Sequence, residues 1–244
     1  MDTSIYKEMK EIEKHHWWFT ARREIVEETI SKLDIEPDAR ILDVGCGTGG
    51  NLEMLNRVGV VTGIEMNSLA ADLATKSSNA TIKIGSLPNN LPLDNDETFD
   101  LIVALDVIEH IEQDLESLVA VSRHMGESGK IVITVPAFQF LWGHHDEIHH
   151  HKRRYRKSDL EKLASEAGLK IRKLSYYNFF LFPLAAALRL YEKLVPPSPD
   201  KSTIAPPSSW LNKIFHSVFA SERHLLNAMN FPFGVSLLMV LEKN

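Results

Sequence analysis

A single cysteine, Cys46, is all the thiol chemistry in 244 residues. It excludes an internal disulfide and any multi-cysteine metal site, and it suits a reducing compartment, so the expected location is the cytoplasm. Basic excess is also missing: 27 Lys and Arg stand against 33 Asp and Glu, a formal charge of −6. General nucleic-acid binding is therefore not expected. The longest apolar run, FFLFPLAAAL at 179–188, is broken by Pro183, followed by Arg189, and too short to span a bilayer. The opening MDTSIYKEMKEIEKHH is charged throughout, without the apolar stretch a secretory signal needs, so none is expected. Internal repeats and long low-complexity tracts are absent as well. What is there, 44% hydrophobic and 25% charged, is an ordinary globular composition on a chain of single-domain α/β size.

Short apolar runs alternate with helical patterns along most of the chain. Residues 17–33 read as an amphipathic helix with Ile25, Ile30 and Leu33 among its apolar positions. Strands are expected at 40–45, 60–66, 81–86, 100–107 and 130–136, with helices at 51–59, 68–78 and 111–125 between them. Ser68 reads as an N-cap, and Gly126 as the stop of the 111–125 helix. Ser158 reads as the cap of a further helix, with Glu161 completing a capping box and Gly168 closing it. The last two strands are expected at 169–178 and 234–243. This alternation predicts a doubly wound, mostly parallel seven-stranded sheet in an α/β fold, with the last strand antiparallel. Residues 1–39 read as N-terminal cap helices, 40–178 as the core and 179–233 as an insertion or lid. Within the insertion, the Pro/Ser-rich 196–210 reads as a linker or surface loop.

The densest motif is ILDVGCGTGG at 41–50, four glycines in six positions behind an apolar run. It fits G-x-G-x-x-G through Gly45, Gly47 and Gly50, and equally G-x-G-x-G through Gly45, Gly47 and Gly49. Either way a tight strand-to-helix turn brings bare backbone against a ligand at the carboxyl edge of the sheet. Asp43 tells the readings apart, because a carboxylate repels a pyrophosphate and attracts an amino group. Glu65, 20 residues after Gly45, is placed to accept ribose hydroxyls in both readings.

With ILDVGCGTG, TGIEMN, FDLIVALDVIEHI and GKIVITVP in succession, the sequence resembles the class I S-adenosylmethionine-dependent methyltransferases over residues 40–136. Within them it looks most like the quinone-biosynthesis O-methyltransferases and their bacterial relatives. The resemblance implies a Rossmann-like fold and S-adenosylmethionine as cofactor, leaving as S-adenosylhomocysteine. Gly45, Gly47 and Gly49 would pass under its methionine part, with Cys46 between them and Asp43 on its amino group. Glu65 would hold the ribose and Met66 the adenine, edged by Gly85, Ser86 and Leu87. Leu105 and Asp106 would line the sulfonium side, and Arg23 matches an arginine that reaches the cofactor. Cys46 itself reads as a small packing residue rather than a nucleophile.

A hydroxyl acceptor needs a base or a metal to take its proton. DVIEH at 106–110 offers Asp106, Glu109 and His110, which would share a helix face. The resemblance allows a divalent cation there, but His110 as a metal-free base is the preferred reading, so no metal ligand is assigned. A second cluster, WGHHDEIHHHKRRYRK at 142–157, offers His145, Asp146 and His151 as a base with its orienter, or reads as a solvated loop. His110 and His145 are the catalytic candidates. Lys152, Arg153, Arg154, Arg156 and Lys157 suggest an anionic partner. Trp17, Trp18 and Phe19 read as a cap over the cofactor or as core packing. The apolar 179–195 segment reads as a lid, a dimer contact or a peripheral membrane contact, which makes a small or lipid-linked acceptor the expected substrate. Set beside this O-methyltransferase reading are an NAD-dependent oxidoreductase and a cofactor-binding protein without turnover.

Overall fold

The computed structural model describes residues 3–195 and 207–244. Two helices, α1 (Thr3–His15) and α2 (Trp17–Ser31), come first. Then follow β1 (Ala39–Val44), α3 (Leu52–Asn56), β2 (Gly59–Glu65), α4 (Ser68–Thr75), β3 (Thr81–Ile84), β4 (Phe99–Leu105), α5 (Asp114–Ser122) and β5 (Met125–Pro136). The remainder is α6 (His144–Ile148), α7 (Lys157–Glu166), β6 (Leu169–Tyr177), α8 (Phe182–Leu194), α9 (Ser209–Leu226) and β7 (Ser236–Lys243). The strands form one seven-stranded sheet in the order β3-β2-β1-β4-β5-β7-β6. β1 to β5 pair in parallel, and β7 alone runs antiparallel to both its neighbours, as the alternation predicts.

The centre of the sheet explains its own composition. β4 is covered on both faces, so Leu101, Ile102 and Val103 are all fully buried and no position alternates to polar until Asp106. Because the central strands are parallel, their carboxyl ends share one edge. There β1 gives the glycine loop, β2 gives Glu65, β4 gives Asp106 and β5 leads into the histidine-rich segment. Chain direction alone gathers the candidate residues.

Several boundaries differ from the sequence reading. The cap of α4 is Asn67, not Ser68; its side chain accepts from the amides of Leu69 and Ala70 at 3.0 and 3.1 Å. The cap of α7 is Arg156, whose amide donates to Asp159 at 2.7 Å, in place of the expected Ser158–Glu161 box. Gly168 does take the left-handed φ of +71° that ends this helix. α5 ends at Ser122, and Gly126 lies inside β5, which begins at Met125 beside Phe99. Of the linker reading for 196–210, residues 196–206 lie outside the described residues, and Ser209 already opens α9.

α9 is the element the sequence reading missed. It packs along α2 rather than covering the sheet edge as a lid. Trp17 meets Phe215 and Phe219 edge-on, with centroids 5.5 and 5.9 Å apart, and Glu24 binds both His216 and Arg223. Phe219 is fully buried between Trp17 and the stacked ring of Tyr177. Phe219→Ala is therefore expected to cost about 3–5 kcal/mol in urea unfolding, the range for a truncated core aromatic.

Candidate cofactor and acceptor site

The glycine loop is tied to β2 by Gly45 and Cys46, whose amides donate to the Ile64 carbonyl at 2.7 and 3.0 Å. Gly45, Gly47 and Gly49 all have positive φ, at 71°, 57° and 91°, where a Cβ is strained. Their surroundings differ. A Cβ on Gly45 would come within 2.7 Å of Val107 and one on Gly49 within 3.1 Å of the Ala74 backbone, whereas Gly47 faces open space. The backbone at Gly47 thus has open space above it where the other two glycines are packed. Cys46 is buried against Gly63, and burial pushes its thiol pKa up, so it packs and does not react.

Asp43 is buried beside this loop, and its Oδ2 has no hydrogen-bond partner among the described residues. Burial lifts its carboxyl to about 7, with Glu65 and Glu13 adding to the lift and Arg22 opposing it. Glu65 accepts from the amides of Gly47 and Asn67 at 3.0 and 2.8 Å, so its carboxylate spans the end of β2 and the glycine loop. Met66, next in the chain, is 74% exposed. Gly85 donates to the Glu65 carbonyl at 3.1 Å, and a Cβ there would lie 2.4 Å from Pro92. Ser86 is engaged through its backbone with Asn90, and Leu87 packs against the core next to it.

Beyond β4, Leu105 is buried and Asp106 takes a left-handed φ of 58°. Asp106 pairs with Arg22, which also donates to Asn51 at 3.3 Å and lies under the Trp18 ring. Arg22 is thus the arginine of α2 that meets Asp106 at the end of β4. Arg23 donates to the Glu13 carbonyl at 2.7 Å, joining α1 to α2. The signal was in the sequence: α2 buries Ala21, Arg22, Ile25, Val26, Thr29 and Ile30, a stripe that includes 22 and leaves 23 outside.

The expected helix face of Asp106, Glu109 and His110 is not formed. Residues Ile108–His110 make a single 3-10 turn, and Asp106 turns away to Arg22. His151 comes in instead: Glu109, His110 and His151 each offer a ligand atom within 4.8 Å of the others. Glu109 is fully buried, neither carboxylate oxygen has a partner among the described residues, and burial with nearby Asp106 raises its pKa well above the ordinary value. This donor set fits a divalent cation, with a ligand composition different from the one the resemblance implies.

The 144–157 segment is not a solvated loop. Asp146 is fully buried and accepts from His151 Nδ1, Arg154 Nε and the Gly143 amide at 2.8, 2.8 and 2.9 Å. Burial alone would raise this carboxyl, but the three donors hold it well below the usual range. Asp146 thus fixes the orientation of the His151 ring through Nδ1, with the His110 ring 4.6 Å away between centroids. His145 packs on His149 at 4.3 Å and does not share the Asp146 carboxylate. Burial depresses His110 to about 4, His145 to about 3 and His149 to about 4, so all three are neutral near pH 7. The basic run is mostly spent internally: Arg153 binds Asp114 and Glu112, Arg154 binds Asp146, and Lys157 approaches Glu161.

Residues 16–174 match the model of a family described as a methyltransferase domain. The chain belongs to that family. Among curated proteins this methyltransferase-family chain is similar to the ubiquinone biosynthesis O-methyltransferase of Rickettsia typhi, 30% identical over 146 residues, 52% of the chain and 59% of that protein. Against another from Rickettsia bellii the match covers 47% of the relative, so the chain spans about half the length of the curated proteins it matches. Among solved structures, an S-adenosylmethionine-dependent methyltransferase from Clostridium acetobutylicum superposes with a TM-score of 0.59 at 13% identity, covering 92% of each chain. The plantazolicin methyltransferase, solved with SAH, gives a TM-score of 0.61 at 16% identity over 99% of this chain and 88% of its own. The fold is thus the Rossmann-like methyltransferase fold, and the buried Asp43 beside an open Gly47 cradle suits S-adenosylmethionine better than a pyrophosphate.

Proposed function

We propose that this chain is an S-adenosylmethionine-dependent methyltransferase that methylates a hydroxyl group of a small or lipid-linked acceptor. When bound, the cofactor supplies a sulfonium methyl open to in-line displacement, so orientation can carry much of the rate. Asp43 would hold the amino end, Glu65 the ribose, and Leu105 and Asp106 the wall beside the sulfonium. The single observation that carries the acceptor chemistry is the His151–Asp146 hydrogen bond at 2.8 Å. It orients the His151 ring beside His110, where Nε2 would take the acceptor's proton as its oxygen gains the methyl and the carbon–sulfur bond breaks. A divalent cation on Glu109, His110 and His151 is the alternative device for the same proton.

That the curated relatives are ubiquinone biosynthesis O-methyltransferases favours oxygen as the acceptor atom. The chain is read as one catalytic domain in the cytoplasm, with α8 on the acceptor side. α8 buries no side chain and exposes Leu184, Leu188, Leu190 and Leu194, which supports a lipid-linked acceptor or a peripheral membrane contact. Among the described residues no helix is long and apolar enough to cross a membrane. The test is a panel of phenolic, catecholic and amine acceptors, read by released S-adenosylhomocysteine with and without chelator. Turnover on hydroxyl acceptors that persists in chelator supports the base, turnover abolished by chelator supports the metal, and turnover confined to amines overturns the proposal.

A further inference from the structure

Glu13 stands outside every motif of the sequence, yet α1 delivers its carboxylate to the glycine loop. Thr48 Oγ1 donates to Glu13 Oε2 at 2.7 Å, and that same oxygen lies 2.6 Å from where a Cβ on Gly50 would be. A side chain at position 50 would have to displace the Glu13 carboxylate, a contact unrelated to any dinucleotide pattern. Burial raises the Glu13 carboxyl, and Glu13 in turn contributes to the lift on Asp43. Glu65 adds a third carboxylate at the loop through its bond to the Gly47 amide. Arg22, Arg23 and Lys10 face Glu13 and offset part of this charge, but Arg22 is paired with Asp106, and Arg23 and Lys10 donate to the carbonyls of Glu13 and Leu73. Three carboxylates gathered at one loop, with Asp43 Oδ2 left without a partner among the described residues, favour a cation brought by the ligand.

We propose that Glu13 is a ligand-contacting residue that, together with Asp43, receives the α-ammonium group of the cofactor and selects nucleosides that carry an amino-acid end. The proposal rests on reading the site as an S-adenosylmethionine pocket. Its consequence is a contact made from outside the sheet, by a helix that precedes the fold's core, so selectivity for the amino-acid end depends on α1 being docked.

Calorimetric titration with two ligands isolates this role. S-adenosylhomocysteine carries the amino-acid end; 5′-methylthioadenosine shares its adenosine and thioether but lacks it. Glu13→Gln is expected to weaken S-adenosylhomocysteine by about tenfold or more, the loss of one charge-assisted hydrogen bond, and to leave 5′-methylthioadenosine unchanged. Glu13→Lys, which sets a cation where the ammonium belongs, is expected to abolish S-adenosylhomocysteine binding while 5′-methylthioadenosine still binds and so reports a folded pocket. Unchanged S-adenosylhomocysteine affinity in Glu13→Gln, or an equal loss for both ligands, overturns the inference. A wild-type chain that binds neither ligand overturns the cofactor reading itself, and the inference with it.

Discussion

Affinity for S-adenosylhomocysteine is expected to fall about tenfold for each pH unit below 7, and Asp43→Asn is expected to flatten that dependence. The ligand's ammonium stays protonated throughout this range, so the titrating partner is the protein. Asp43 sits at about 7 because burial penalises its charge, with Glu65 and Glu13 adding to the effect and Arg22 offsetting part of it. An ammonium beside the carboxylate favours the ionised form, so binding draws Asp43 down and expels its proton. The sign follows: below about pH 7 the carboxyl must first lose a proton, and above it the site is already charged. Titrations at pH 6 in two buffers of different ionisation enthalpy should show close to one proton released per ligand bound. Asp43→Asn, uncharged at every pH, should bind weakly at pH 8 and release none. Proton uptake, or a pH-independent affinity in the unmodified chain, would remove Asp43 from the ligand's amino end.

The second large effect concerns turnover. His151→Asn is expected to lower kcat by about 10²–10⁴-fold, the usual contribution of a positioned base, with cofactor Kd unchanged. Asn keeps a donor for Asp146, whose carboxylate otherwise loses one of its three hydrogen bonds. His110→Asn distinguishes the two devices. As a neighbour of the base, at 4.6 Å between rings, His110 should matter less than His151. As a metal ligand alongside Glu109, it should cost as much, and chelator should reproduce the loss in the unmodified chain. A His151→Asn variant with unimpaired kcat would place the acceptor's proton elsewhere.

What the sequence made legible was whatever depends on local pattern. Apolar runs such as 100–107 marked the central strands because a strand covered on both faces has no room for alternation. Glycines at 45, 47 and 49 marked the turn because a run of positive φ strains residues that carry a Cβ. Details set by tertiary contact were not legible. α9 carries an apolar stripe matched to α2, but a Pro/Ser-rich approach made the whole stretch read as cover. Asp146 and His151 are five positions apart in a segment rich in charge; only burial of the carboxylate reveals which histidine it holds. Asp106, Glu109 and His110 would have shared a face had the backbone been α-helical. The left-handed φ at Asp106 sends its side chain to an arginine on another element.

The antiparallel strand β7 sets the order in which this molecule can be completed during synthesis. β7 lies between β5 and β6, so neither can gain its neighbour until residues 236–243 have been made. From Tyr177 to Lys243 the ribosome adds 66 residues (243 − 177), about 3–13 seconds at ordinary elongation rates. For that interval one side of β5 stands open, with Ile131, Val132 and Ile133, later wholly covered, beside unpaired amides and carbonyls. The nascent chain thus presents an apolar sheet edge next to a nearly finished nucleotide-binding half. Chaperone dependence and yield at high expression temperature should respond to substitutions in β7 far more than to equally buried ones in β1.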